Sequence, residues 1–126
     1  MKPAALMLHV DNPAAGFNWY QKAFPEASRI TFPDSDIYAL QVGEFIIEIV
    51  QSDEKVSSGM AGAVLYWAVD NLQVSIEDFK GLGSIVYRGP MQIEQGMGMC
   101  QVTDTFGNLI GLRGPYVKLS GRCIIT

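Results

Sequence analysis

Histidine is almost absent from this chain, since of its 126 residues only His9 carries an imidazole. Only one histidine is therefore on hand to serve a catalytic triad, and none can cluster with another to hold a metal. Cysteine is nearly as scarce: Cys100 and Cys123 lie in no CxxC spacing and have no histidine near them, which argues against a zinc site and leaves two ordinary reduced thiols. Cations are few as well. The nine lysines and arginines are scattered and the formal net charge is −4, so no basic run exists to neutralise phosphates, and nucleic acid is not expected as a partner. No apolar run approaches the roughly 18 residues that span a bilayer. The opening MKPAALMLHVDN is interrupted by His9 and Asp11 too early for a signal peptide, so the expectation is a cytoplasmic protein with no membrane partner. A GxSxG elbow, a Walker loop and a GxGxxG turn after a strand are all missing, and the glycines of GMGMC precede a strand rather than a helix.

What is present is the composition of a folded domain, with 48% hydrophobic and 17% charged residues. It also contains a repeat. Val10-Asp11-Asn12 returns 59 residues later as Val69-Asp70-Asn71, each time after an apolar run and before a segment with helical spacing. In the first copy, Met7 to Val10 reads as a strand. Asn12 and Pro13 then form a helix start, Phe17, Tyr20 and Phe24 share one helical face, and Pro25 ends the helix. Gly16 weakens that helix slightly. Strands are expected at Ser28 to Phe32, Ile37 to Val42 and Phe45 to Gln51, separated by Pro33 to Asp36 and by Gly43-Glu44. In the second copy a strand at Ala63 to Val69 precedes a helix capped by Asn71 and carrying Leu72, Ile76 and Phe79, with strands at Ser84 to Tyr87, Gly98 to Thr103 and Asn108 to Arg113. The order is βαβββ twice. The expected architecture is one α+β domain over 1–126: a module over about 4–52, a linker over about 53–61, a second module over about 62–115, and a tail over 116–126. Two tandem βαβββ modules are expected to form a curved mixed sheet enclosing a cleft, the natural place for a ligand.

The paired modules, VDN before each helix, NWYQKAF in the first helix and VTDTFGNLIGL near the end together resemble the vicinal oxygen chelate superfamily. That group includes glyoxalase I, extradiol dioxygenases and bleomycin-resistance proteins. The resemblance covers roughly residues 4 to 114. It implies homodimers, and, in metal-dependent members, one ligand position in the first and last strand of each module. In this chain those positions fall on Ala5, Glu48, Val64 and Gly111. Only Glu48 can donate to a metal, and one carboxylate does not hold a catalytic divalent ion, which needs about three protein ligands. The expectation is thus no metal and no cofactor.

Glu48 and His9 remain the candidates for acid/base chemistry. A carboxylate among Ile46, Ile47 and Ile49 is costly unless paired, which makes Glu48 the more informative of the two. Strand alternation places His9 with Ala5 and Met7, and Tyr66 with Val64. The ligand-lining set expected from this facing is Met7, His9, Tyr38, Ile46, Glu48, Tyr66, Met99 and Arg113, with Phe45 and Met97 as further aromatic and soft surface. Trp67 should pack under the helices. Arg88 to Gln101, with three methionines among glycines and Pro90, is either a lid or a bent hairpin. The leading expectation is a metal-free protein binding a small apolar or aromatic organic molecule. The alternatives are a lyase, isomerase or dioxygenase resembling glyoxalase I with an atypical metal site, and a protein-interaction module whose cleft is filled by a partner or by the tail YVKLSGRCIIT.

Overall fold

A computed structural model describes residues 2–31 and 37–117. Phe32, the stretch Pro33 to Asp36 expected between two strands, and Cys123 lie outside those residues, as does most of the tail. The chain divides into two compact units, Met1–Gly59 and Met60–Thr126, and the boundary falls inside the glycine-containing linker expected at 53–61.

The first unit runs β1 (Ala5–Val10), α1 (Pro13–Ala23), β2 (Ser28–Ile30), β3 (Tyr38–Val42) and β4 (Phe45–Gln51). Its sheet has the order β1-β4-β3-β2, with β1 parallel to β4 and the other pairs antiparallel. The second unit runs β5 (Tyr66–Ala68), α2 (Leu72–Gly81), β6 (Val86–Gln92), β7 (Met97–Thr103) and β8 (Leu109–Pro115). Its order, β5-β8-β7-β6, repeats the first, again with only the first and last strands parallel. The register repeats too: Met7 pairs with Glu48, and Tyr66, 59 residues after Met7, pairs with Gly111. Shared order and register carry the duplication further than the triplet match could. Each unit keeps its own four-stranded hydrogen-bonded sheet; the ladders do not run from one into the other among the described residues.

The helix starts are local. Asn12 Oδ1 accepts from the Ala15 N–H at 3.1 Å, and Asn71 Oδ1 from the Val74 N–H at 3.2 Å, so each second VDN asparagine satisfies a free N–H of the first turn. Replacing either asparagine by alanine is expected to cost about 1 kcal/mol, read as a lower urea midpoint with an unchanged slope.

α1 lies on the face of its sheet made by Val10, Leu40, Ile47 and Ile49, all essentially without solvent exposure. Gly16 explains itself here. A methyl group on it would sit 3.0 Å from Val10 Cγ2 and 3.2 Å from Ile49 Cγ2, so the residue that weakens the helix lets it reach the sheet. α2 buries Leu72, Ile76 and Phe79 over Cys100, Val102, Ile110 and Leu112. Burial of this kind is worth about 1.5–3 kcal/mol per large apolar side chain. Removal from water also pushes the Cys100 thiol pKa up, so it stays protonated and inert.

Two sequence expectations need correction. β6 begins at Val86 rather than Ser84 and continues through Gly89 and Pro90 to Gln92, so the methionine-rich segment is a bent hairpin of β6 and β7. Pro90 misled because proline normally argues against a strand. Here it lies on an edge strand, between the register shifts that separate Val86, Arg88 and Met91, where no ladder bond is lost. Conversely, β5 is only three residues long, shorter than the apolar run Ala63 to Val69 suggested.

Candidate functional site: the helix-free sheet faces

In a strand, alternate residues face opposite sides, so each sheet has one face under its helix and one turned away from it. The functional candidates are described one unit at a time.

In the first unit the helix-free face carries Ala5, Met7 and His9 from β1, Ile46, Glu48 and Val50 from β4, and Ala39 from β3, aligned by the pairs Ala5–Ile46, Met7–Glu48, His9–Val50 and Ala39–Glu48. Met7, His9, Ile46 and Glu48 therefore share one surface, as alternation suggested. Glu48 is half-buried on β4, an interior strand of the sheet. His9 is also half-buried, at the end of β1. Near it, Asp53 accepts the Val56 and Lys55 N–H groups at 2.8 and 2.9 Å, and these two bonds, helped by the charge of His9, hold its carboxyl below the ordinary value.

Tyr38 belongs elsewhere. It pairs with Ile49, and its ring centroid lies 5.2 Å from that of Phe17 on α1, so it stands on the helix side, opposite Glu48. Phe45 shares that parity with Ile47 and Ile49. Both were expected on the ligand side. The error is one of register, since a shift of a single residue exchanges the faces of a strand.

The second unit holds the more organised arrangement. Tyr66, Gly111 and Gln101 form one row across β5, β8 and β7, and Ala68, Arg113, Met99 and Met91 form the next across β5 to β6. The Tyr66 ring lies flat on Gly111: a methyl group at that glycine would come within 2.6 Å of Cδ1 and 2.7 Å of Cγ. Gln101 Nε2 donates to the Tyr66 hydroxyl at 2.7 Å, which leaves the hydroxyl its own proton for another acceptor. The Arg113 guanidinium sits 4.5 Å from the centre of the same ring. Ring, amide and cation thereby brace one another. Tyr66, Met99 and Arg113, which the sequence reading grouped, do share this face, and Gln101, which it did not name, shares it with them. Counting alternation on from Met97 and Met99 reaches it, but only the cross-strand register reveals Tyr66 as its partner.

Trp67 pairs with Leu112 on the α2 side, opposite Tyr66. Asp104 belongs to the loop between β7 and β8. Its Oδ1 accepts the N–H groups of Phe106 and Asn108 at 2.7 and 2.8 Å and its Oδ2 accepts Asn108 Nδ2 at 3.0 Å, so the DTFGN motif is a loop staple rather than a reactive group.

The residues fit a divalent metal poorly. Ala5 and Gly111 offer no donor atom, Val64 offers none before β5, and the place a side chain at 111 would take is filled by the Tyr66 ring. Among the described residues no group of three or more His, Cys, Asp and Glu side chains is arranged to hold an ion. Also among them, no helix is long and apolar enough to cross a membrane.

Comparison with known proteins bears on the fold. A glyoxalase/bleomycin resistance protein/dioxygenase family enzyme from Burkholderia phytofirmans PsJN superposes with a TM-score of 0.73 at 16% identity, over 90% of this chain and 98% of that one. The fold is that of the glyoxalase/bleomycin-resistance proteins. A protein from the mobile metagenome of V. Pseudocholerae gives 0.71 at 22% identity, covering 94% and 96%. An antibiotic-binding protein from Streptomyces sp. CB03234 gives 0.71 at 16% identity, covering 92% and 97%. No family model matches the sequence, and no curated protein matches it. The likeness thus lies in the fold, which hosts both enzymes and binding proteins and does not choose between them.

Proposed function

We propose that this chain is a metal-free small-molecule-binding protein of the glyoxalase/bleomycin-resistance type, which holds an apolar or aromatic organic molecule against the helix-free faces of its sheets. The observation that carries the reading is the Tyr66 ring seated on Gly111. Gly111 is the second module's counterpart of Glu48, by register as well as by the resemblance, and where a metal enzyme of this fold needs a carboxylate this chain presents a flat aromatic surface. Tyr66, Met99 and Met91 supply stacking and adaptable apolar contact, and Gln101 and Arg113 supply orientation. A site built mainly of such groups favours binding over bond making. The Streptomyces neighbour, described as an antibiotic-binding protein, lends the reading support as a neighbour in fold.

The test is elemental mass spectrometry of untagged protein, before and after incubation with zinc, nickel, manganese and iron(II), joined to a screen of aromatic compounds by thermal shift. Substoichiometric metal under every condition, with at least one compound raising the midpoint and recovered unchanged, is the expected result. Stoichiometric metal that disappears in Glu48→Gln overturns the reading in favour of a lyase, isomerase or dioxygenase.

A further inference from the structure

The strands of the second sheet have an unusual charge balance for an acidic protein. β5 to β8 contain Arg88 and Arg113 and not one aspartate or glutamate, in a chain whose net charge is −4. The acids of this unit lie elsewhere: Glu77 and Asp78 on α2, Asp70 before it, Glu94 in the β6–β7 turn, and Asp104 committed to its loop. Arg88 pairs with Gln101 and Arg113 with Met99, so both arginines belong to the helix-free face, Arg88 at the end of the Gln101 and Tyr66 row and Arg113 in the row beside it. Among the described residues of the unit neither forms an ion pair with a carboxylate; Glu77 is taken by Lys80 on α2 at 3.8 Å.

From this arrangement we infer that the ligand is an anion, a flat conjugated molecule bearing a carboxylate or a similar planar oxyanion, with Arg113 as the residue that receives it. The inference rests on the binding reading above and names the chemical class for that site. A guanidinium presents two parallel N–H donors matched to a carboxylate, and its attraction for an anion is strongest when its position is already fixed. Arg113 is fixed twice: its carbonyl accepts the Val69 N–H at 2.9 Å, and its guanidinium stacks on a ring that is itself held by Gly111 and Gln101. The Tyr66 hydroxyl proton, which the Gln101 bond leaves in place, is a further donor beside Arg113. Arg88 lies one strand beyond Gln101 and adds positive potential without a stacking partner.

The experiment is isothermal titration of the full chain with three probes of one shape and different charge: 2-naphthoate, 2-naphthamide and 2-(aminomethyl)naphthalene. The expected order is naphthoate tightest, by about tenfold or more over the amide, with the amine weakest. Arg113→Gln should remove the preference for naphthoate over the amide, and Arg113→Lys should keep part of it, because the charge survives but the fork does not. Lys80→Gln, which deletes one positive charge on α2, should leave the preference unchanged, and added salt should shrink it. Circular dichroism of each variant separates loss of binding from loss of fold. Equal affinity for naphthoate and naphthamide overturns the anion inference while leaving the binding reading standing. The inference is equally overturned by a preference that persists in a folded Arg113→Gln protein, or by a naphthoate that does not bind at all.

Discussion

Gly114→Ala is expected to lose about 3 kcal/mol of stability, near the upper end of what overpacking costs, and to lose the ligand platform with it. Gly114 follows Arg113 in β8, and a methyl group added there runs into the carbonyl oxygen of Val69 and lies 2.8 Å from its Cγ2. The obstacle is backbone rather than a flexible side-chain end, so relief requires β5 and β8 to part. That separation breaks the Val69–Arg113 bond of 2.9 Å, and a strand of three residues has few other contacts to resist it. Urea denaturation checks the stability. Residual binding of naphthoate in the folded fraction checks the platform, because Tyr66 rides on β5 and Arg113 on β8. A loss below about 0.5 kcal/mol would show that the two strands are not packed as described.

Asp104→Ala should cost a similar amount, about 3 kcal/mol, by a different route. The side chain is nearly inaccessible and accepts the backbone N–H groups of Phe106 and Asn108 and the Asn108 side-chain amide. Alanine leaves those donors facing a gap, and leaving buried donors unmade costs more than a formed bond contributes. Asp104→Asn gives the sharper comparison. Its carbonyl oxygen can still take both backbone N–H groups, but its amide then meets the Asn108 amide donor to donor, so a loss of about 1–1.5 kcal/mol is expected. Chemical denaturation of the pair, with an unchanged dependence on urea, reports both values. Equal losses in the two variants would contradict the division of bonds between Oδ1 and Oδ2.

These two variants separate kinds of information in the chain. Asp104 stood out in the sequence as part of VTDTFGNLIGL, the stretch that carried the resemblance, and its bonds in the structure run only two and four residues along the chain, a local range. The same holds for Asn12 and Asn71. Each cap reaches three residues forward, and the two helices accordingly begin where the sequence indicated. Gly114 was not conspicuous. What makes it indispensable is Val69, 45 residues earlier, and no local pattern connects them.

The candidate site divides in the same way. Met7, His9, Ile46 and Glu48 lie on one face, as period-two alternation within single strands implies. Tyr38 and Phe45 went to the wrong face because alternation says which residues of one strand agree, not how that strand is phased against its neighbour. Gln101 went unnoticed because its role depends on a hydroxyl 35 residues away. The edge position that tolerates Pro90 is likewise a property of the sheet and not of the segment.

By itself, then, the sequence determined the duplicated βαβββ order and the helix caps, since each depends on residue identity or on spacing of a few positions, and through the resemblance it pointed to Ala5, Val64 and Gly111 as places without a metal-ligand residue type. Only the tertiary structure decided that the Tyr66 ring rests on Gly111, that Arg113 lies over it, and which strand faces turn away from the helices. Those facts follow from the pairing of strands far apart in the chain, where the register that sets every contact is chosen by the packing of the whole sheet.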